Sequence, residues 1–256
     1  MTLTTDRLSV GYRRTSLLEA GELTFEPGTV TAILGPNGVG KSTLLRTLAG
    51  LMPPVGGSVR LDARDVASLP RDVRAREIAF LAQEETAVFP LTVREAVAVG
   101  RLPHSPGLRE TPDDLAAIDA AIARVDLTEQ ADTLLDRLSG GQRRRATIAR
   151  ALAQAALVIL LDEPLVHLDP AHANEVLRTL AELRRLGRTV VATFHEVDAA
   201  LAVADRVIVL ARGDVAFCGP PEALDDGVLA QAYGVTFAHF AAGDRVVRRP
   251  VWEIER

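Results

Sequence analysis

The stretch Thr-Val-Thr-Ala-Ile-Leu-Gly-Pro-Asn-Gly-Val-Gly-Lys-Ser at residues 29–42 decides the fold. Its first six residues form a largely apolar run that predicts a buried strand, and residues 43–48 continue with the apolar spacing of a helix. Between them, residues 35–42 fit the pattern G-x-x-x-x-G-K-[ST] in the strand–loop–helix context that a phosphate-binding loop requires. The sequence therefore predicts an α/β protein with a phosphate loop at this point.

The glycines of this loop allow backbone N–H groups to surround an anion, and the helix behind it contributes the positive end of its dipole. We expect Lys41 to reach the β- and γ-phosphates of a nucleotide and the Ser42 hydroxyl to bind Mg²⁺. Lys41 is the only lysine among 29 basic residues, which suggests a narrow site that excludes the wider arginine fork. The predicted nucleotide-binding residues here are Gly35, Pro36, Asn37, Gly38, Val39, Gly40, Lys41, Ser42 and Thr43.

A second candidate site follows the apolar run at residues 157–161, which is typical of a strand buried on both faces. Asp162 at its carboxyl end can hold Mg²⁺, and Glu163 can polarise a water for attack on the γ-phosphate. Two solvated carboxylates at a strand end are the alternative, which the nearby phosphate loop makes weaker.

The segment Leu-Ser-Gly-Gly-Gln at residues 138–142 predicts a capped helix start. Ser139 is the N-cap, and the two glycines behind it allow close approach of a backbone, so this is a second phosphate-binding helix start. An ordinary capped helix would explain the helix but not the glycine pair. We expect no catalytic role for the arginines at 143–145.

Together, these motifs resemble the nucleotide-binding subunit of ATP-binding cassette (ABC) transporters, over residues 3 to about 240. The resemblance implies a P-loop NTPase (RecA-like) core with an antiparallel β subdomain and an inserted α-helical subdomain. It also implies ATP and Mg²⁺ as cofactors and a head-to-tail homodimer. In that dimer Ser139, Gly140, Gly141 and Gln142 of one copy would cover the ATP of the other.

Four further positions match motifs of that family. Tyr12 stands where an aromatic ring stacks on adenine, although a packed strand-end aromatic is the alternative. Gln83 matches a glutamine that contacts Mg²⁺, and His195 matches a histidine that contacts the γ-phosphate. An exposed polar residue and a structural histidine are their respective alternatives. Asp169 matches a loop that communicates across the dimer.

The organisation predicts a single ABC ATPase domain over residues 1–256. Its α/β core would comprise residues 1–87 and 156–256, and the helical subdomain would comprise 88–155. An amphipathic helix in that subdomain would present one apolar face. Its predicted members are Leu115, Ile118, Ile122 and Val125.

Residues 84–104, which include Phe89, form an apolar surface candidate, and the resemblance implies that this region helps to build a groove for a helix of the membrane permease, with subdomain core as the alternative. The sequences at 89–93, 99–104 and 232–235 resemble the branch that imports iron–siderophore, haem or cobalamin. A permease is therefore an expected partner, and a substrate-binding protein an indirect one. An exporter ATPase, or a cassette protein acting on nucleic acid or ribosomes, remains the alternative, and a P-loop kinase is weaker because it does not need residues 138–142.

Composition narrows these choices. The formal net charge is −5, so we expect no nucleic-acid partner. Cys218 is the only cysteine and cannot form an internal disulfide; we expect it to be buried, in a reducing compartment. No signal peptide or membrane span is evident. We therefore expect a soluble, cytoplasmic chain that is peripheral on the membrane through the permease. His167 and His172 do not have the spacing of a zinc pair, and His104 and His239 are expected to be surface or packing residues.

Overall fold

The computed structural model describes residues 1–83, 90–104, 110–242 and 245–251. The strands are β1 (Leu3–Tyr12), β2 (Thr15–Gly21), β3 (Thr24–Phe25), β4 (Val30–Leu34), β5 (Gly56–Leu61), β6 (Arg64–Asp65), β7 (Ile78–Leu81), β8 (Val158–Leu161), β9 (Thr189–Thr193), β10 (Arg206–Ala211), β11 (Asp214–Gly219), β12 (Phe237–Ala242) and β13 (Arg245–Pro250). The helices are α1 (Lys41–Leu48), α2 (Arg71–Glu77), α3 (Val93–Ala98), α4 (Pro112–Arg124), α5 (Gly140–Ala153), α6 (Pro170–Arg185), α7 (Val197–Val203) and α8 (Asp226–Tyr233).

A large sheet organises the molecule, with the strand order β6-β5-β1-β2-β11-β10-β4-β9-β8-β7 and β3 paired to β1. The neighbours β10, β4, β9, β8 and β7 run parallel. Because the carboxyl ends of parallel strands lie along one edge, the segments that follow β4, β8 and β9 come together there. This edge carries the phosphate loop, Asp162 with Glu163, and His195.

The other half of the sheet is mostly antiparallel: β1 pairs with β2, β3 and β5, β5 pairs with β6, and β10 pairs with β11. The exception is the parallel pairing of β2 with β11. Helices α3, α4 and α5 pack on one another as a helical layer. The predicted α/β fold class is confirmed. The expected boundary between residues 87 and 88 lies outside the described residues, so the division into subdomains stays a prediction.

The core lies on both sides of the sheet because strand side chains alternate between faces. In β4, Val30, Ala32 and Leu34 join a cluster with residues of α4, α5 and α6. Ile33 points into a second cluster with the leucines of α1. All four side chains are fully buried, which fits the continuous apolar pattern of a central parallel strand.

Helix α4 presents the predicted apolar face, except at one position. Ile118, Ile122 and Val125 are buried, but Leu115 is 43% exposed, so the prediction for Leu115 is wrong. Asp114 takes the inward position of this first turn instead, and its carboxylate pairs with Arg101 at 2.8 Å. A buried charge is tolerated there because it has this partner.

Cys218 is exposed, so the expectation of a buried cysteine is wrong. Side chains of β11 alternate between half-buried and exposed over Asp214–Cys218, and Cys218 falls on the exposed face, where Arg206 donates to its Sγ. Within the described ranges, no helix is long and apolar enough to cross a bilayer.

Candidate nucleotide site

The phosphate loop joins β4 to α1 at the centre of the sheet. Gly35 has a φ of 147°, and a Cβ there would lie 2.6 Å from the carbonyl oxygen of Leu210, so only glycine fits. Lys41 is 5% exposed, and its Nζ donates to the carbonyl oxygens of Gly35 at 2.8 Å and Pro36 at 3.1 Å. Burial lowers the pKa of Lys41, while the charges of Glu163 and Asp162 oppose that shift.

Asp162 connects the loop to the neighbouring strands. Its Oδ1 accepts hydrogen bonds from Ser42 Oγ at 3.0 Å and Thr193 Oγ1 at 2.9 Å. Thr193 Oγ1 in turn accepts from the backbone N–H of Glu163 at 2.8 Å. Hydroxyl and carboxylate oxygens are ligand types that Mg²⁺ prefers. Thr193 is not among the residues predicted from the sequence. The feature that could have indicated it is a hydroxyl side chain at the end of β9, which lies beside β8.

Glu163 and His195 form a close pair at the same edge. His195 Nε2 lies 2.6 Å from Glu163 Oε1. Oε2 of Glu163 is buried and has no hydrogen-bond partner among the described residues. The backbone of Glu163 has a φ of 48°, a conformation uncommon for a non-glycine residue. The pair therefore holds one carboxylate oxygen and leaves the other buried and without a hydrogen-bond partner among the described residues.

Tyr12 and Gln83 lie at the margins of this edge. Tyr12 is 53% exposed, and its Oη is 3.2 Å from Thr43 Oγ1 in α1, so its ring stands beside the start of that helix. Its exposure argues against the alternative of a packed core aromatic. Gln83 is exposed two residues beyond β7, at the border of the undescribed residues 84–89.

Arg144 links the helical layer to the catalytic edge. Its Nη1 donates to the carbonyl oxygen of Ala82 at 3.0 Å, and its Nη2 donates to that of Asp162 at 3.1 Å. Arg144 thus contacts the backbone beside the catalytic edge, and the expectation that the arginines at 143–145 have no catalytic role stays a prediction. No short sequence pattern signals such a contact.

The segment 138–142 forms the capped helix start that the sequence predicts. The backbone N–H of Gln142 donates to Ser139 Oγ, and Gln142 Oε1 accepts from the backbone N–H of Ser139. This reciprocal capping box satisfies donors at the start of α5. Ser139 and Gly140 are exposed, whereas Gly141 is buried.

The start of α5 packs against the start of α6. Asp169 caps α6, and its carboxylate binds the backbone N–H of His172 at 2.9 Å and the Nδ1 of His172 at 2.8 Å. The His172 ring lies against Gly141, where a Cβ would come within 2.2 Å of its Cδ2. The structure thus places the predicted site residues in two groups: the first lies around Lys41 and the second around Gly141.

A groove of about 680 Å³ lies beside the second group. Its lining includes Gln83, Leu91, Val99, Gly140, His167 and Leu168. Gln83 therefore shares a groove with the helix start at 138–142. Phe89, which the sequence also placed at a partner surface, lies outside the described residues.

Comparisons with known proteins agree with this arrangement. The model of the ABC transporter family matches residues 18–166. The ferric enterobactin transport ATP-binding protein FepC of Escherichia coli is 40% identical over 233 residues, which cover 90% of this chain and 86% of FepC. The hemin import ATP-binding protein HmuV of Nocardia farcinica is 42% identical over 218 residues, covering 85% and 75%.

Among solved structures, an ABC transporter in an inward-facing conformation matches with a TM-score of 0.86 at 26% identity, covering 98% of both chains. The family resemblance predicted from the sequence is confirmed. Relatives of this family are ATP-hydrolysing transport subunits, and several of them are named for the import of siderophore or haem. Because the family model spans more than half of the chain and close relatives cover most of it, this protein belongs to the ABC transporter ATPases.

Proposed function

We propose that this chain is the ATP-hydrolysing subunit of an importer for ferric siderophore, haem or cobalamin. The names of FepC and HmuV support a cargo of this class, as do the sequences at 99–104 and 232–235. The observation that carries the catalytic part is the convergence of Lys41, Asp162 and the Glu163–His195 pair at one sheet edge.

Phosphoryl transfer depends mainly on positioning and on charge stabilisation, which this edge is built to provide. Lys41 and the backbone N–H groups of residues 35–43 hold the ATP phosphates. Ser42 and Asp162, together with Gln83, would hold Mg²⁺, which would supply positive charge against the phosphates. The donor set fits that ion because Ser42 and Asp162 already place two hard oxygen atoms 3.0 Å apart.

Glu163 is the general base that orients the attacking water and accepts its proton. Its side chain is 11% exposed, and Oε1 is held by His195 at 2.6 Å. Oε2 is the free acceptor, since it has no hydrogen-bond partner among the described residues. A positioned carboxylate of this kind contributes about 10²- to 10⁴-fold to a rate. His195 is then placed to contact the γ-phosphate.

ATP binding brings two copies of the chain together. The exposed ring of Tyr12 stacks on adenine at the edge of the first copy. The exposed Ser139 and Gly140 offer the dipole of α5 to the phosphates held by the second copy. Gly141 and Gln142 complete that helix start, and Asp169 contacts the other chain.

The part of the groove lined by Leu91, Ala96 and Val99 receives a helix of the membrane permease. Val99 is 42% exposed, and an exposed apolar side chain in a groove favours a helix-in-groove contact. The chain then lies on the cytoplasmic face of the membrane through the permease, which in turn meets a substrate-binding protein. No nucleic acid takes part.

The first test compares Glu163→Gln with the matched control Glu26→Gln, an exposed glutamate remote from the edge. In the purified full chain, Glu163→Gln binds ATP, hydrolyses it at least about 100-fold more slowly and accumulates as a dimer by size exclusion with light scattering. Glu26→Gln behaves as wild type. Normal turnover by Glu163→Gln would remove Glu163 as the base, and a monomer at saturating ATP would remove the dimer.

The second test identifies the cargo. Cells that produce either wild type or Glu163→Gln receive labelled ferric siderophore, haem or cobalamin, and initial uptake is measured. We expect uptake of one cargo to collapse in the variant. If all three cargoes enter normally, the import assignment is wrong while the ATPase assignment stands. Export is then the hypothesis to test with the co-purified permease.

A further inference from the structure

Tyr233 places a side chain from the C-terminal part of the chain against the phosphate loop. It is the last residue of α8, which ends at Gly234 with a φ of 72°. Its hydroxyl oxygen accepts a hydrogen bond from the backbone N–H of Gly35 at 2.9 Å. The two residues are 198 positions apart in sequence, and Gly35 is the first residue of the loop.

Gly35 is consequently held at both of its backbone polar groups. Its N–H donates to Tyr233, and its carbonyl oxygen accepts from Lys41 Nζ at 2.8 Å. The residue is buried, so an unpaired N–H there would be unfavourable. The orientation of Gly35 also fixes the oxygen that positions Lys41. A contact that holds Gly35 therefore also affects the position of the Lys41 ammonium, which would bind the phosphates.

The Tyr233 ring is itself firmly placed. It packs against Phe237 with ring centroids 5.7 Å apart and tilted by 53°. The hairpin β12–β13 that follows is tied back to the core, because Asp198 of α7 accepts from the backbone N–H of Arg248 at 2.9 Å. Arg248 also pairs with Asp226 of α8 at 2.8 Å. The ring of Tyr233 is thus packed against a strand whose hairpin partner is bonded to α7 and α8.

The hydroxyl stays neutral at physiological pH. Burial raises the pKa of Tyr233, the hydrogen bond from Gly35 opposes that shift, and the negative charge of Glu196 adds to it. Glu196 directly follows His195, so a charge of the segment after β9 acts on the Tyr233 hydroxyl. A neutral phenol is a steady acceptor for an amide N–H.

We propose that Tyr233 is a positioning residue for ATP binding, through which the C-terminal segment 226–250 fixes the first peptide of the phosphate loop. This proposal rests on the proposed role of residues 35–42 as the ATP site. It gives a physical role to the Ala-Tyr-Gly-Val sequence at 232–235. A residue that served only packing would act through its ring and not through its oxygen.

The decisive variant is Tyr233→Phe, which removes one oxygen and keeps the ring. In the full chain we expect the Kd for ATP, measured by calorimetry without Mg²⁺, to rise about three- to tenfold, the range of one lost hydrogen bond. The kcat at saturating Mg-ATP should stay within about twofold. Hydrogen exchange should become faster at the Gly35 amide specifically.

Phe237→Leu is the matched control, since it weakens the ring contact and keeps the hydroxyl. It should lower the Tm and raise the Kd for ATP by clearly less than Tyr233→Phe does, and the Gly35 amide should keep most of its protection because the hydrogen bond is still present. Equal rises in Kd for both variants would show that Tyr233 acts by packing alone and would overturn the proposal.

An unchanged Kd and unchanged Gly35 exchange in Tyr233→Phe would overturn it as well. If Tyr233→Phe were too unstable to measure a Kd, hydrogen exchange at the Gly35 amide of the wild-type chain without ATP would decide. Protection of this amide supports the contact with Tyr233, and rapid exchange there refutes it. Failure of wild type to bind ATP would instead defeat the proposed function.

Discussion

The edge that carries Lys41 and the helix start that carries Gly141 are built in opposite ways. Around Lys41, the functional side chains are buried and bonded to one another: Lys41 is 5% exposed, Asp162 is 2% exposed and Thr193 is fully buried. At the start of α5, Ser139 and Gly140 are exposed, and the capping bonds are local. The edge around Lys41 is buried by other parts of the chain, whereas the start of α5 is exposed.

This difference shows how each region positions its functional groups. The buried edge is preorganised by long-range contacts, such as the bond between Ser42 and Asp162 across 120 residues, so its geometry exists before any ligand binds. The helix start offers backbone N–H groups whose ligand has to come from outside. Under the proposed function that ligand is the ATP of a second copy, so the outward region acts in assembly and the inward region in chemistry.

The largest effect should come from Lys41→Arg, which keeps the positive charge at the buried edge but replaces a compact ammonium with a wider guanidinium. The two carbonyl oxygens at 2.8 and 3.1 Å from Nζ suit a compact ammonium and not a planar fork. ATP hydrolysis should fall at least about 100-fold, as when a charge-stabilising donor is lost. The reverse exchange at the exposed Arg46 of α1, Arg46→Lys, should leave the rate unchanged.

Steady-state hydrolysis of ATP by the two full-length variants measures this contrast. If Lys41→Arg kept most of the activity, the buried edge would accommodate a wider side chain. The conclusion that this edge is rigid and preorganised would then be wrong.

An intermediate effect should separate two neighbouring glycines of the outward region. A Cβ at Gly141 would lie 2.2 Å from the His172 ring, whereas one at Gly140 would lie 3.5 Å from Leu168, an ordinary contact. Gly141→Ala should therefore lower the free energy of unfolding by about 1 to 3 kcal/mol. Gly140→Ala should be neutral or stabilising, because alanine favours a helix.

Urea unfolding of both variants, alone and combined with His172→Ala, provides the measurement. Removal of the His172 ring should recover part of the loss in Gly141→Ala, since the Cβ of residue 172 remains 2.8 Å from the added methyl, and should not alter the effect of Gly140→Ala. Equal losses in both glycine variants, or no recovery, would show that the ring does not set the space at Gly141.

The sequence predicts the buried edge well because its motifs are short and lie at strand ends. The consecutive residues of the phosphate loop predict β4 and α1, and the apolar run before Asp162 predicts β8. A parallel sheet then brings these ends together without further information. The nucleotide and metal roles of the individual residues stay predictions.

What the sequence does not reveal are contacts between single residues far apart in the chain. Arg144 donates to the Asp162 carbonyl, and Tyr233 accepts from Gly35, but neither pair leaves a local pattern. Cys218 was placed wrongly for a related reason: an apolar neighbourhood indicates a strand, but the face of each side chain depends on the sheet partners. Packing, and not composition, decides these positions.

The smallest effect should distinguish two buried threonines in adjacent strands, Thr193 in β9 and Thr31 in β4. Thr193 Oγ1 bonds both Asp162 and the Glu163 N–H, whereas Thr31 Oγ1 is buried with no hydrogen-bond partner among the described residues. Thr193→Val should lower the free energy of unfolding by about 1 to 2 kcal/mol, since it leaves a buried donor unsatisfied. Thr31→Val should be neutral or stabilise by up to about 1 kcal/mol.

Urea unfolding and ATP hydrolysis of these two variants test whether the hydroxyl matters through its bonds. We expect Thr193→Val also to slow hydrolysis, because the backbone of Glu163, with its φ of 48°, loses an anchor. Equal destabilisation by both changes would indicate only the general effect of replacing threonine in these strands. A loss confined to Thr193→Val would show that the buried edge derives its precision from hydrogen bonds between strands, which the outward helix start lacks.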